Sequence, residues 1–158
     1  MGLDMYLHAK KYISKIDWAA TQAGDDYVVR EQFNDIIKTA GLDNVPDNNV
    51  AGAEVSVTCA YWRKANQIHG WFVDNVQGGE DNCEEHYVSR EMLTELLNTC
   101  KEALAKRDPS LIQPREGCFF GGYDIDQYYW GDLQETITML EKVLKLDDDL
   151  SFYYVSSW

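Results

Sequence analysis

Apolar and polar residues alternate through Leu3-Asp4-Met5-Tyr6-Leu7-His8-Ala9, the two-residue period of a strand with one face buried. A polar stretch from Asp17 to Asp25 follows and reads as loop. From Tyr27 to Ala40 the period changes: Val28, Phe33, Ile36, Ile37 and Ala40 recur at helical spacing, and Gly41 ends the pattern. Leu42 to Gly52, rich in Asn, Asp and Pro, reads as loop. Ala53 to Tyr61 is the clearest strand, with apolar odd positions, which predicts that the odd face is covered. The stripe Ile68, Trp71, Phe72 and Val76 predicts a helix over Lys64 to Gln77, stopped at Gly78-Gly79. Glu80 to His86 reads as an acidic loop. Ser89 is a good N-cap, and Met92, Leu93, Leu96, Leu97, Cys100 and Leu104 form one helical face as far as Asp108-Pro109. Gly117 to Gly122 predicts a short apolar strand. Asp132 predicts the cap of a last helix built on Leu133, Ile137, Leu140 and Leu144, with a start as early as Asp124 as the alternative. Leu150 to Val155 predicts a terminal strand.

The order is then strand, helix, strand, two helices, strand, helix, strand. No glycine-rich phosphate turn follows any strand, so a doubly wound nucleotide fold does not fit. The expected class is α+β: a small mixed or antiparallel sheet of about four strands, helices packed mainly on one face, residues 1–158 in a single domain.

Composition narrows the function more than the fold. The 27 acidic residues outweigh the 14 basic ones, a net charge of −13 that disfavours direct nucleic-acid binding and anionic membranes and suits a basic partner. Ten Tyr and five Trp supply side chains that fill cores and also build binding surfaces. Cys59, Cys83, Cys100 and Cys118 include no Cys-x-x-Cys pair and read as reduced thiols. No apolar run is long enough to span a bilayer, and Met1-Gly2-Leu3-Asp4-Met5-Tyr6 has neither signal-peptide nor myristoylation character; the expectation is a cytoplasmic protein.

The densest candidate chemistry lies in Tyr61-Trp62-Arg63-Lys64-Ala65-Asn66-Gln67-Ile68-His69-Gly70-Trp71-Phe72, at a strand-to-helix junction. Trp62, Arg63, Lys64, Asn66 and His69 could stack a ring and hold an anionic group, helped by the helix N-terminus, so they are the candidate ligand-binding residues. The competing account assigns the aromatics to the core, leaves the cations in solvent and makes His69 a packed structural histidine. Glu80-Asp81-Asn82-Cys83-Glu84-Glu85-His86 offers only half of a zinc site, and Asp124-Ile125-Asp126 serves equally as a magnesium pair or as acids complementing a helix start. No Gly-x-Ser-x-Gly, Walker, Gly-x-Gly-x-x-Gly or His-Glu-x-x-His motif occurs. No catalytic residue, metal or cofactor is therefore assigned, and an enzyme using His69 or His86 with neighbouring carboxylates is the minority reading.

The Met-Gly-Leu-Asp-Met-Tyr-Leu start resembles a family of small bacteriophage and prophage proteins without established activity. So do the Tyr61-to-Val73 block, Val76-Gln77-Gly78-Gly79-Glu80-Asp81, the Phe119-Phe120-Gly121 turn and the aromatic end at Trp158. The resemblance spans nearly the whole chain and carries over no catalytic residue. Relatives tend to have longer inserts before the Phe-Phe-Gly segment, which implies a peripheral loop there. The enzyme label some members carry, phosphoglycerate kinase, conflicts with a chain too short for two nucleotide-binding lobes. By association, the resemblance implies an accessory protein that binds a host macromolecule, a protein of metabolism or defence, without catalysis. A binder sequestering a nucleotide-like small molecule is the alternative.

Overall fold

The computed structural model describes residues 2–22, 26–44, 50–117 and 120–158. Four strands and four α-helices follow the chain as β1 (Asp4–Ser14), α1 (Glu31–Thr39), β2 (Gly52–Arg63), α2 (Asn66–Asn75), β3 (His86–Val88), α3 (Arg90–Lys106), α4 (Gln127–Val143) and β4 (Ser151–Ser157). The strands form one antiparallel sheet in the order β2-β1-β4-β3, which makes the fold α+β. The third strand thus lies between α2 and α3, where the sequence pattern reads as loop. A stretch of only His-Tyr-Val is too short to show a period, and its pairing opposite Tyr154, Tyr153 and Phe152 is long-range.

The chain divides into two compact units, residues 10–56 and residues 1–9 with 57–158. In the smaller unit, Ile16 bridges Val29, and Lys15 N–H donates to Ala51 O at 2.9 Å. Because Val28 and Val29 serve this extended pairing, α1 begins at Glu31 and not at Tyr27, burying only Phe33. Gly52 is required where it stands: a Cβ there would lie 2.5 Å from Ile13 O and from the Tyr12 ring.

In the larger unit one sheet face is dry. Met5, Leu7 and Ala9 of β1, Ala60 and Trp62 of β2, Val88 of β3, and Phe152 and Tyr154 of β4 are buried, together with the apolar stripes of α2, α3 and α4. In β2 the expected facing fails only at the end next to α2. There the even residues Ala60 and Trp62 are buried and Tyr61 is exposed, while the odd residue Cys59 still packs against the core and Thr58 is exposed, so strict alternation breaks between Thr58 and Ala60. Each fully buried Leu or Phe here contributes about 1.5–3 kcal/mol relative to exposure.

Local chemistry fixes the helix ends. Ser89 Oγ accepts from Met92 N–H at 3.2 Å to start α3, with Glu91 in its first turn, and Arg107 closes the helix in a left-handed conformation at φ 53°. Asp126, not Asp132, caps α4; its carboxylate accepts from Tyr128 N–H at 2.8 Å and Tyr129 N–H at 3.1 Å. Asp132 lies inside that helix. The C-terminal carbonyls of α4 are gathered by Arg90, whose guanidinium donates to Leu144 O at 3.3 Å and Leu146 O at 3.0 Å while lying 5.1 Å from the centre of the Phe152 ring. The expected strand at Gly117 to Gly122 is not seen at Gly117 or Phe120 to Gly122, and Cys118 and Phe119 lie outside the described residues. Glycines at both ends leave that segment few side chains to pair across a sheet.

Candidate functional site

The β2-to-α2 junction separates the candidate binding residues instead of gathering them. Successive strand side chains point to opposite faces, so Trp62 enters the core while Arg63 stays outside. Trp62 Nε1 donates to Thr136 Oγ1 at 2.9 Å, and its ring meets Phe72 edge-on with centroids 5.8 Å apart. Arg63 is exposed, its Nε 4.0 Å from Asp4 Oδ1. Lys64 turns the chain with φ 59°, a left-handed conformation rare outside glycine. Asn66 opens α2, and its buried side chain holds the following loop: Nδ2 donates to Phe120 O at 3.3 Å and Gly122 O at 2.8 Å, and Oδ1 accepts from Arg115 N–H at 3.2 Å.

His69 has 0% of its surface exposed. Its Nε2 lies 3.1 Å from both carboxylate oxygens of Asp81, and its Nδ1 lies 2.7 Å from the Tyr154 hydroxyl. The carboxylate can only accept, so neutral His69 carries its proton on Nε2 and takes the Tyr154 proton at Nδ1. Asp81 also accepts from Trp158 Nε1 at 3.2 Å and lies 3.6 Å from Arg115 Nε. The order Tyr–His–Asp matches that of a catalytic relay, but the phenol stacks on Phe72 at 3.9 Å and has no exposed surface. Burial raises the Tyr154 pKa well above its ordinary value, and burial lowers that of His69 despite Asp81. The chain of bonds ties α2, the segment after it and β4 together. Spacing gives no hint of it, because the partners of His69 lie 12 and 85 residues away.

Arg63 and Lys64 do reach a cavity of about 290 Å³, shared with Asp124, Asp126 and Asp132. Two segments distant in sequence thus meet across one space. Asp126 is committed to capping α4, whereas among the described residues Asp132 Oδ2 receives only Gln67 Nε2, at 3.0 Å. Partial burial raises the Asp132 pKa, opposed by that amide. Gln67 and Asp132 were not among the candidates, since nothing in a mid-helix Asp marks it as facing a cavity.

Asn82 organises the acidic segment. Its Oδ1 accepts from Glu84 N–H at 3.0 Å and lies 3.0 Å from His86 Nε2, while Gln77 Nε2 donates to Asn82 O at 3.1 Å. Among the described residues, no group of three or more His, Cys, Asp or Glu side chains is placed to hold a metal ion. No helix of these residues is long and apolar enough to cross a membrane.

The sheet face opposite α2, α3 and α4 carries Tyr6 and His8 from β1, Tyr61 from β2, Tyr87 from β3 and Tyr153 from β4, facing away from the buried set. Tyr61 is 44% exposed and Tyr87 59%. The rings form two pairs, Tyr6 with Tyr61 at 5.3 Å and Tyr87 with Tyr153 at 5.8 Å. His8 stacks on Tyr6 at 6.1 Å with its Nδ1 3.2 Å from Thr58 Oγ1, and the Tyr61 hydroxyl donates to Asp4, whose carboxylate raises the Tyr61 pKa.

Comparison with protein-family models, with curated proteins and with solved structures gives no match.

Proposed function

We propose that the protein acts by non-catalytic binding, docking a basic host protein against the open tyrosine-bearing face of its sheet. The observation that carries this is the exposure of Tyr61 and Tyr87 on the sheet face opposite α2, α3 and α4. Tyrosine gives large contact area for little lost side-chain freedom, and such rings dominate interface energetics. The charge of −13 supports a partner with a basic rim around its contact patch. The resemblance to bacteriophage proteins supports a host target, in the cytoplasm, in metabolism or defence.

Site-specific photocrosslinkers placed at Tyr61, Tyr87 and, as a control, exposed Glu102 on α3 test the reading in host lysate. One protein crosslinking from both sheet positions, not from Glu102, and released by salt is the expected outcome. Equal labelling from Glu102, or none from the sheet, would overturn it. A nucleotide-like ligand is less favoured: Asp124, Asp126 and Asp132 repel a phosphate from the cavity that Arg63 and Lys64 line.

A further inference from the structure

The cavity beside the β2-to-α2 junction holds charges of both signs that do not neutralise one another. Lys64 forms no ion pair among the described residues. Its left-handed backbone costs about 1 kcal/mol or more for a residue with a Cβ. That conformation is fixed by close packing with Gly121, itself at φ 105°, where an added Cβ would sit 3.1 Å from Lys64 O. On the α4 side, Asp132 has no cation within ion-pair distance among the described residues, and its side chain is met by Gln67 alone. Gln67 is itself buried, and its amide nitrogen also reaches Tyr129 O at 3.4 Å. An exposed lysine and a partly buried carboxylate line one space, with neither pairing the other.

A simple anion entering there meets the carboxylates, and a simple cation meets Lys64 and Arg63. A molecule carrying both charges satisfies both walls, since an opposite charge close to each group favours its ionised form. The volume of about 290 Å³ sits at the small end of ligand pockets, which suits a small molecule. We propose that this cavity binds a small zwitterion of amino-acid size, its carboxylate on Lys64 and Arg63 and its ammonium on Asp132. The assignment is independent of the sheet face and of any macromolecular partner.

The test titrates glycine, γ-aminobutyrate and ε-aminocaproate into the isotopically labelled full chain at millimolar concentration. The backbone amides of Gly121 and Gly122 and the Gln67 side chain are followed by NMR, with butyrate and butylamine as singly charged controls. At least one amino acid is expected to shift these signals saturably, with each control about tenfold weaker or more, the scale of one charge-assisted contact. Lys64→Asn, which tolerates the left-handed turn, and Asp132→Asn, which still accepts from Gln67, are each expected to weaken binding about tenfold with the rest of the spectrum unchanged. Absence of a saturable shift from all three amino acids overturns the proposal. So does binding of butyrate or butylamine as tight as the best amino acid, or unaltered binding by both variants.

Discussion

His69 links stability to pH, and His69→Gln isolates that link. The imidazole has no exposed surface, and burial pushes its pKa below the ordinary 6.5 in spite of Asp81 beside it, while Arg115 adds to the lowering. In the unfolded chain the same group protonates as pH falls through 6.5. Between the folded and unfolded values the unfolded state therefore binds more protons, so folded stability declines as pH falls and is fully regained above 6.5. While that condition holds, the slope is about 1.4 kcal/mol per pH unit for one proton. Glutamine cannot titrate, so the variant loses this slope. It also disturbs the Tyr154 hydroxyl, whose loss of a partner costs about 1–3 kcal/mol at every pH. Urea unfolding at steps between about pH 7 and pH 5 separates a constant offset from a slope. Asp132, with a raised pKa, acts in the opposite sense, and its contribution cancels in the wild type minus variant difference. An unchanged slope in His69→Gln would refute the assignment of His69 as the buried, neutral group.

Three further outcomes follow from the same geometry. Asn66→Ala removes three hydrogen bonds that hold Arg115, Phe120 and Gly122, and at about 1 kcal/mol each it should cost about 2–3 kcal/mol and open that loop to limited proteolysis. Trp62→Phe and Thr136→Val should each destabilise by about 1–2 kcal/mol, and a double-mutant cycle should show them coupled through the 2.9 Å indole–hydroxyl bond, additivity being the contrary result. Alkylation of the native protein near neutral pH, mapped by mass spectrometry, should modify exposed Cys83 ahead of Cys59 and Cys100, whose thiols burial pushes up to about 11 and about 12.

Where structure was decided within a few residues, the sequence was legible. The Ser89 cap, the Leu93-Leu96-Leu97-Cys100 stripe and the stop before Pro109 set α3 by local hydrogen bonding and period alone. The β1 strand was equally plain, because Met5 and Leu7 face the core between polar neighbours. In β2 alternation established that two faces exist, but which one is covered depends on what the helices bring against Trp62. For the start of α4 the sequence pointed to Asp132, or as early as Asp124, and neither is the cap. The backbone gave the cap to Asp126 and left Asp132 to the cavity. The partners of His69 are not legible in the sequence: Tyr154 arrives only when β4 joins the sheet, and Asp81 only when the segment after α2 folds back on that helix.

The block from Tyr61 to Phe72 looks in sequence like a binding site because it concentrates amides, an imidazole, cations and aromatics. In the folded chain most of those polar atoms meet the protein itself: Trp62 meets Thr136, Asn66 meets three backbone groups, and His69 meets Asp81 and Tyr154. A buried polar group satisfied from within has little left to offer a ligand, and breaking its bond to make another gains almost nothing. The proposed recognition therefore uses groups whose partners are lacking. Among the described residues Lys64 and Asp132 have no counter-charge within ion-pair distance, and Tyr61 and Tyr87 are exposed. Polar density in a sequence marks where a fold is tied as readily as where it binds, and the count of unmet partners separates the two.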